Sequence, residues 1–414
     1  MKKNMKIVTA LMAIGLVSPM AYATNGDQMM AVGSQSSALG GTGVANYMGA
    51  DSAWANPAML GKSKGSEVVG GIVLFKPTVT NSGMTGAEAT STANTSYIPD
   101  VSYSSRISDS LSYGVAMAGI AGMGVDYTDS ATHVKAKTAL SILRVLPTIA
   151  YNQENYGIGF SPVLQYGSLM ISYNNFNGTS GGPYNAGQSS NTSTGFGASL
   201  GGYYNVTPAV VVAASYQSAI DMKYGTQLSG AGNGFGLCQP AGGTCTGAAP
   251  FGDTLAQPAE MKAGVAYTMS DITLTADYKS IQWSSATGYK DYNWKDQTVV
   301  AIGAKYAGNG FWVGAGYNQA DDPIAEHATG ASVYRDAAVN FFNNMMFPGI
   351  VKNSMTLGGG YDISKAMTIE ASAVVTPEVK KTVNVDALDG AGGIVSNTTK
   401  HSQAAYSVSL RYKF

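Results

Sequence analysis

Residues Tyr406 to Phe414 alternate without a fault: Tyr406, Val408, Leu410, Tyr412 and Phe414 fall on one face, and Ser407, Ser409, Arg411 and Lys413 on the other. A period of two is that of a β-strand. A strand with one apolar and one polar face that stops on a terminal aromatic is how bacterial outer-membrane barrels end. This tail predicts an all-β fold: a closed, transmembrane antiparallel β-barrel in the bacterial outer membrane, its last strand offered to the barrel assembly machinery.

The same period recurs along the chain. Alternating segments bounded by turn residues predict strands at about 66–77, 97–107, 110–120, 138–152, 156–172, 194–206, 209–222, 257–269, 271–283, 296–307, 310–320, 352–363, 366–380 and 401–414, about fourteen in all. An even count suits a bacterial barrel. Short turns, such as Ser108-Asp109 and Thr207-Pro208, alternate with long connections at 78–96, 121–137, 173–193, 223–256, 284–295, 321–351 and 381–400. Short periplasmic turns and long outer loops are the expected asymmetry, with both termini in the periplasm.

The start of the chain fits this compartment. Lys2, Lys3 and Lys6 precede an apolar run from Ile7 to Val17, and Ala21-Tyr22-Ala23 fits a signal-peptidase site, so 1–23 is read as a signal peptide and Thr24 as the mature start. No later segment approaches ~18 consecutive apolar residues, which excludes a spanning helix. Charged residues are 12% of the chain, against roughly 25% in soluble domains. With 24 basic and 25 acidic residues, three of the former in the leader, nothing points to nucleic acid.

Parity assigns the faces. Met261, Ala263, Val265, Tyr267 and Met269 share one side of their strand, with Glu260 and Lys262 on the other. Ile272, Leu274 and Tyr278 oppose Thr273, Thr275, Asp277 and Lys279, and Met367, Ile369 and Val375 oppose Thr368, Glu370 and Thr376. A charge on the lipid face costs ~2–4 kcal/mol near the midplane. Lys262, Asp277, Lys279 and Glu370 are therefore expected in the lumen, largely paired with one another.

Residues 24–65 lack this period and are rich in Gly, Ala, Ser and Met, too apolar for a solvated linker. They are expected to fold as a hatch inside the barrel of 66–414. At this point Ala38-Leu39-Gly40-Gly41-Thr42-Gly43 and Asp51-Ser52-Ala53-Trp54-Ala55-Asn56-Pro57-Ala58-Met59, with Leu146-Pro147-Thr148-Ile149-Ala150-Tyr151 and Gln257-Pro258-Ala259-Glu260-Met261-Lys262, resemble the FadL/TodX (OmpP1) family of outer-membrane transporters of long-chain fatty acids and aromatic hydrocarbons. The resemblance implies a 14-strand barrel, a hatch carrying Asn56, Pro57 and Ala58, and a kink in the third strand that opens a sideways exit. Gly119, Gly122 and Gly124 mark where that kink is expected, since glycine accepts the dihedrals of a bulge. The family's Pro-Phe-Gly is absent here, where the chain reads Gly119-Ile120-Ala121-Gly122.

Two outer loops carry apolar clusters: Phe341, Phe342, Met345, Met346 and Phe347 in one, Phe235 and Phe251 in the other. Exposed, they are a ligand-capture patch; packed inward, they are a lid. Cys238 and Cys245 share the second loop, and in an oxidising compartment they are expected to form a disulfide. The three histidines, His133, His327 and His401, are scattered singly, so neither a metal site, a cofactor nor a catalytic triad is expected.

The function expected from this is passive uptake of hydrophobic small molecules (fatty acid, aromatic hydrocarbon or detergent) captured outside, bound in the lumen and released laterally into the outer membrane. A monomer surrounded by lipid and lipopolysaccharide suffices for it. The alternative, a general diffusion porin for small polar solutes, conflicts with a hatch of this length.

Overall fold

The computed structural model describes residues 24–83, 85–174, 190–234, 252–327, 334–388 and 395–414. The signal-peptide reading, Phe235, Phe251 and the Cys238–Cys245 pair lie outside the described residues. Fourteen long strands form one sheet: β1 (Glu67–Asn81), β2 (Ser96–Arg106), β3 (Leu111–Met123), β4 (Lys137–Asn152), β5 (Tyr156–Ser172), β6 (Asn191–Asn205), β7 (Val210–Gln217), β8 (Glu260–Met269), β9 (Ile272–Ile281), β10 (Gln297–Gly308), β11 (Phe311–Ala320), β12 (Asn353–Asp362), β13 (Met367–Asn384) and β14 (Ser396–Lys413). Each pairs antiparallel with the next. Closure comes from β14 on β1, in register from Lys413 opposite Glu67 to Thr399 opposite Asn81. No described helix is long and apolar enough to cross a membrane.

The outward face follows the sequence parity. Tyr406, Val408, Leu410, Tyr412 and Phe414 are exposed, while Ser407, Ser409 and Arg411 are buried inside. Met261, Leu274, Tyr278, Ile369 and Val375 also point out. A barrel has no free edges, so its backbone groups can all be satisfied in hydrocarbon.

Strand ends depart from the expectation on the loop side. The alternation from 209 continues to 222, but β7 stops at Gln217. Beyond it Ile220, Met222 and Tyr224 are completely enclosed, and Ile220 exchanges backbone hydrogen bonds with Gln257, 3.0 and 2.9 Å. The apolar period persists there because the chain turns over the lumen, where its inward side chains still find a core. Conversely β1, β13 and β14 run further than the apolar pattern, continuing as a polar three-stranded flap to Asn81, Asn384 and Ser396.

Of the segment 24–65, residues 24–63 are buried or half-buried against the inner wall of the barrel, and Lys64 and Gly65 are exposed. A hairpin pairs Thr24-Asn25 with Gln28-Met29, followed by α1 (Ser34–Ala38), α2 (Ser52–Ala55) and a 3-10 turn from Pro57 to Lys62. The wall meets this segment through glycines. A Cβ on Gly316 would lie 2.3 Å from the Gly40 nitrogen, one on Gly159 2.3 Å from the Ala58 nitrogen, and one on Gly201 1.9 Å from Asn56 Oδ1. Backbone-to-backbone contact is possible only where the strand carries no side chain.

Gly316→Val is therefore expected to leave the barrel folded, with its heat-dependent gel mobility intact, but to displace the hatch and raise arabinose flux severalfold in liposome swelling. Unchanged flux would count against a hatch held by these contacts.

Candidate functional site

The third strand breaks its ladder where the glycines cluster. β3 pairs with β2 from Ser112 opposite Arg106 to Ala118 opposite Asp100, then leaves it, whereas β2 continues on β1 back to Ser96. Pro99, which has no N–H to donate, stands at the first position lacking a β3 partner. On the β4 side the register slips between Gly119 and Ala121, making Ile120 the extra residue of a bulge. Gly119 and Gly122 flank it, and Gly124 lies just past the strand end, where a Cβ would come 2.3 Å from the Thr138 carbonyl.

The hatch hairpin occupies the freed edge. Gln28 pairs with Ala121, and the Gly122 N–H donates to the Asp27 carbonyl at 2.9 Å. The slip turns Ala121 and Met123 inward, opposite the enclosed Ile142 and Leu140, and both are buried.

Asp27 sits in the hairpin turn with no exposed surface. Its Oδ2 accepts from the Tyr289 hydroxyl and from Gln257 Nε2 at 3.0 Å, and its Oδ1 has no partner among the described residues. Beside it Gly26, at φ 68°, lies so close to Trp283 and Trp294 that a Cβ would fall 2.7 Å from the Trp283 ring. Trp283, Tyr289 and Trp294 pack on one another in tilted, edge-to-face pairs, with ring centroids 4.6 to 4.9 Å apart. No sequence period marks this cage, because its members belong to one aperiodic connection between β9 and β10.

The cage continues into the lid. Helices α3 (Gln227–Gly234) and α4 (Tyr334–Met346) cap the lumen, and Phe341, Phe342, Met345, Met346 and Phe347 are all buried. Phe342 stacks on Tyr292 at 4.9 Å, Asn343 accepts from Trp294 Nε1, and the Met346 carbonyl accepts from Thr138. Of the two arrangements open to this cluster, exposed patch or inward lid, these residues adopt the packed one: polar Asn340, Asn343 and Asn344 are tied to neighbouring strands and loops, which leaves the aromatic side chains only the interior to fill.

Beneath the lid, between hatch and wall, lies a narrow cavity of about 80 Å³. Met29, Met30, Val32, Val44, Met48 and Trp54 line its hatch side, and Ile120 of the bulge reaches it. The wall side is charged. Lys262 pairs with Glu260 at 3.1 Å, and Asp277 Oδ2 accepts from the hatch amides of Gly43 and Val44 at 2.7 and 3.0 Å. Arg144 donates twice to the neutral Gln165 Oε1, at 3.1 and 2.9 Å. Among the described residues neither Arg144 nor Lys279 forms an ion pair within 4.0 Å.

Glu370 belongs elsewhere. It lies nearer the periplasmic end with Arg411, whose guanidinium also bonds Glu67 and reaches Asp51 of the hatch at 3.5 Å. Asn56 accepts from the Ala58 N–H at 3.0 Å and donates to the Val44 carbonyl and, across to β6, to that of Gly202. Pro57 and Ala58 follow it on the 3-10 turn, fully enclosed. Among the described residues no group of three or more His, Cys, Asp or Glu could hold a metal ion.

A closed barrel with its bore filled by its own N-terminal segment, a lipid-facing apolar belt and a lumenal cavity defines a plugged membrane-transport barrel. The profile of the outer membrane protein transport protein family (OMPP1/FadL/TodX) matches residues 16–414, and the chain belongs to that family of the bacterial outer membrane. The Pseudomonas putida toluene transporter TodX shares 18% identity at a TM-score of 0.67, covering 93% of this chain and 99% of that one. A Pseudomonas aeruginosa FadL homologue shares 17% at 0.69, covering 94% and 100%, and the Ralstonia pickettii toluene transporter TbuX 17% at 0.62, covering 93% and 99%. No curated protein matches the chain.

Burial raises the Asp27 carboxyl to about 6, against the opposing pull of Tyr289, Gln257 and the Arg144 charge. Burial and the Asp27 charge push Tyr289 far above its ordinary value, so its hydroxyl stays the donor. A released, solvated Asp27 would ionise near ~3.9. The seated hairpin then holds the extra proton between those two values. Its seating is fully favoured below about pH 4 and weakens as pH rises through about 6, by at most ~3 kcal/mol. Amide-exchange protection at Gly122, corrected for intrinsic rates, is expected to fall between pH 4.5 and 7.5 in the wild type and to stay flat in Asp27→Asn; a flat wild-type profile would contradict this.

Proposed function

We propose that this protein is a passive outer-membrane channel for hydrophobic small molecules, which enter under the lid, pass through the lumenal cavity and leave sideways between β2 and β3. The observation that carries the reading is the missing ladder above Ala118, closed by a hatch hairpin rather than by a strand. Two short backbone contacts can be broken and remade; a continuous ladder cannot without unfolding the wall.

Direction and driving force follow from solvation. Each methylene moved from water to hydrocarbon gains about 0.8 kcal/mol, so discharge into the bilayer is downhill and needs no energy source. Passage down a wet pore offers no such gain. The hatch, with Asn56, Pro57 and Ala58 wedged against β5 and β6, blocks that pore and speaks against a general porin for polar solutes. At about 80 Å³ the cavity is too small for a long chain, so loading requires the hatch or lid to shift.

Substrate class is the finer point. The named structural relatives are toluene transporters and a FadL homologue. Here the cavity sets apolar Met and Trp side chains opposite Arg144 and Lys279, two cations without ion-pair partners among the described residues. That combination favours an amphipathic acid over a neutral hydrocarbon, since a carboxylate would satisfy both.

The double variant Arg144→Ala/Lys279→Ala should weaken laurate binding by about tenfold or more, a charge-assisted bond contributing ~1.5–3 kcal/mol, with toluene binding unaltered; equal effects on both ligands would remove the preference for acids. For the route itself, Gln28→Cys and Ala121→Cys in a Cys238→Ser/Cys245→Ser background place two thiols opposite each other. Oxidation should stop uptake of either ligand and reduction restore it. Undiminished uptake by the cross-linked protein would rule out this exit.

A further inference from the structure

The polar flap above the apolar belt carries a cationic patch that the transport reading does not use. On β1, β13 and β14 the outward positions change abruptly in character. From Phe414 up to Ala404 the outward side chains of β14 are apolar but for none, Tyr406 lying opposite Leu74 and Leu74 opposite Tyr97. Ten residues at ~3.4 Å each, tilted ~40°, rise roughly 26 Å, the height of a membrane-embedded belt of about 25 Å. Ala404 and its partner Lys76 therefore stand at the upper rim.

Above the rim, Lys400 lies opposite Lys380 on one side and Thr80 on the other. Like charges directly opposite each other across two strands are destabilising unless a counter-charge intervenes. Lys400 has one, Glu88 at 2.6 Å; Glu378, in the irregular stretch of β13, is the other acid nearby. Among the described residues Lys76 and Lys380 form no ion pair within 4.0 Å. Hydroxyls fill the remaining outward positions: Thr80 bonded to Thr90, and Thr382 bonded to Thr398. Amines and hydroxyls at ~0 to 10 Å above the hydrocarbon rim, four residues along a tilted strand, face whatever headgroup occupies the outer leaflet.

We propose that this face of β13, β14 and β1 binds the phosphorylated disaccharide headgroup of lipopolysaccharide, with Lys76, Lys380 and Lys400 holding its phosphates. The long-loop end of the barrel faces the outside, where that headgroup is the outer-leaflet anion, and the patch supplies donors at two depths. An acyl chain below the headgroup would lie along the belt beside Leu74 and Tyr97. The site would fix a lipid against the flap that closes on the lid through Asn397 and Asn344.

Native mass spectrometry on the full-length protein, titrated with bis-phosphorylated hexa-acyl lipid A, tests the assignment. The Lys76→Gln/Lys380→Gln/Lys400→Gln variant should bind about a hundredfold more weakly, each near-surface cation contributing as one lysine does at an anionic membrane. The corresponding triple arginine variant should retain binding, and heat-dependent gel mobility should be that of the wild type in both, since all three side chains point outward. Wild-type protein should bind dephosphorylated lipid A and phosphatidylglycerol at least tenfold more weakly than bis-phosphorylated lipid A. Unchanged affinity in the glutamine variant, or equal affinity for the dephosphorylated lipid or for phosphatidylglycerol, would overturn the proposal.

Discussion

In hydrocarbon no water is available to a backbone N–H or C=O, so a transmembrane sheet must be closed at every position or covered where it is not. This barrel obeys that constraint mainly by strand pairing, interrupted briefly in the β4–β5 ladder around Pro147 and Pro162, and at the β2–β3 seam by a substitute. Where Pro99 and the bulge at Ile120 part the strands, the Asp27 carbonyl and Gln28 of the hatch complete β3 from inside. The rest of the structure can be read as support for that substitution. The Trp283–Tyr289–Trp294 cage grips the hairpin turn, Gly26 lets the turn approach the rings, and the lid packs the cage from above.

The hatch is held by two kinds of contact with different consequences. Glycines on the wall permit backbone-to-backbone approach, which is rigid and insensitive to pH. Buried charges do the rest. Arg411 is surrounded by Glu67, Glu370 and Asp51, and removing one member of such a cluster would leave others uncompensated at a cost of about 3–5 kcal/mol. Near the hairpin the arrangement is looser: Asp27 keeps one oxygen without a partner among the described residues. Firm anchorage at the periplasmic end and a lighter hold at the seam would let the hairpin move while the body of the hatch stays.

What lipid touches was legible in the sequence, because the bilayer imposes one rule on every outward position from Met261 to Phe414. All fourteen strands follow from that parity. Inside, the rule fails. Arg411 reads as one more polar-face residue, yet it joins carboxylates from β1, β13 and the hatch, a coincidence of three distant segments that no period encodes. Asp27 and the aromatic cage sit in aperiodic stretches and left no pattern to find. For Phe341 to Phe347 composition indicated an apolar cluster but not its direction; the asparagines interleaved on α4, whose partners are known only from the fold, decide that it faces inward. The end of β7 is hidden from the pattern for the same reason, since Ile220 and Met222 alternate in an enclosed loop as they would in a strand.

The central claim is that the hatch hairpin is the removable part of the wall. Spin labels on residues 28 and 121, read by pulsed electron resonance in lipid bilayers with and without laurate, measure that separation directly. A ligand-dependent second population at longer distance is predicted. A single short distance, unmoved by saturating ligand while transport proceeds, would contradict the account.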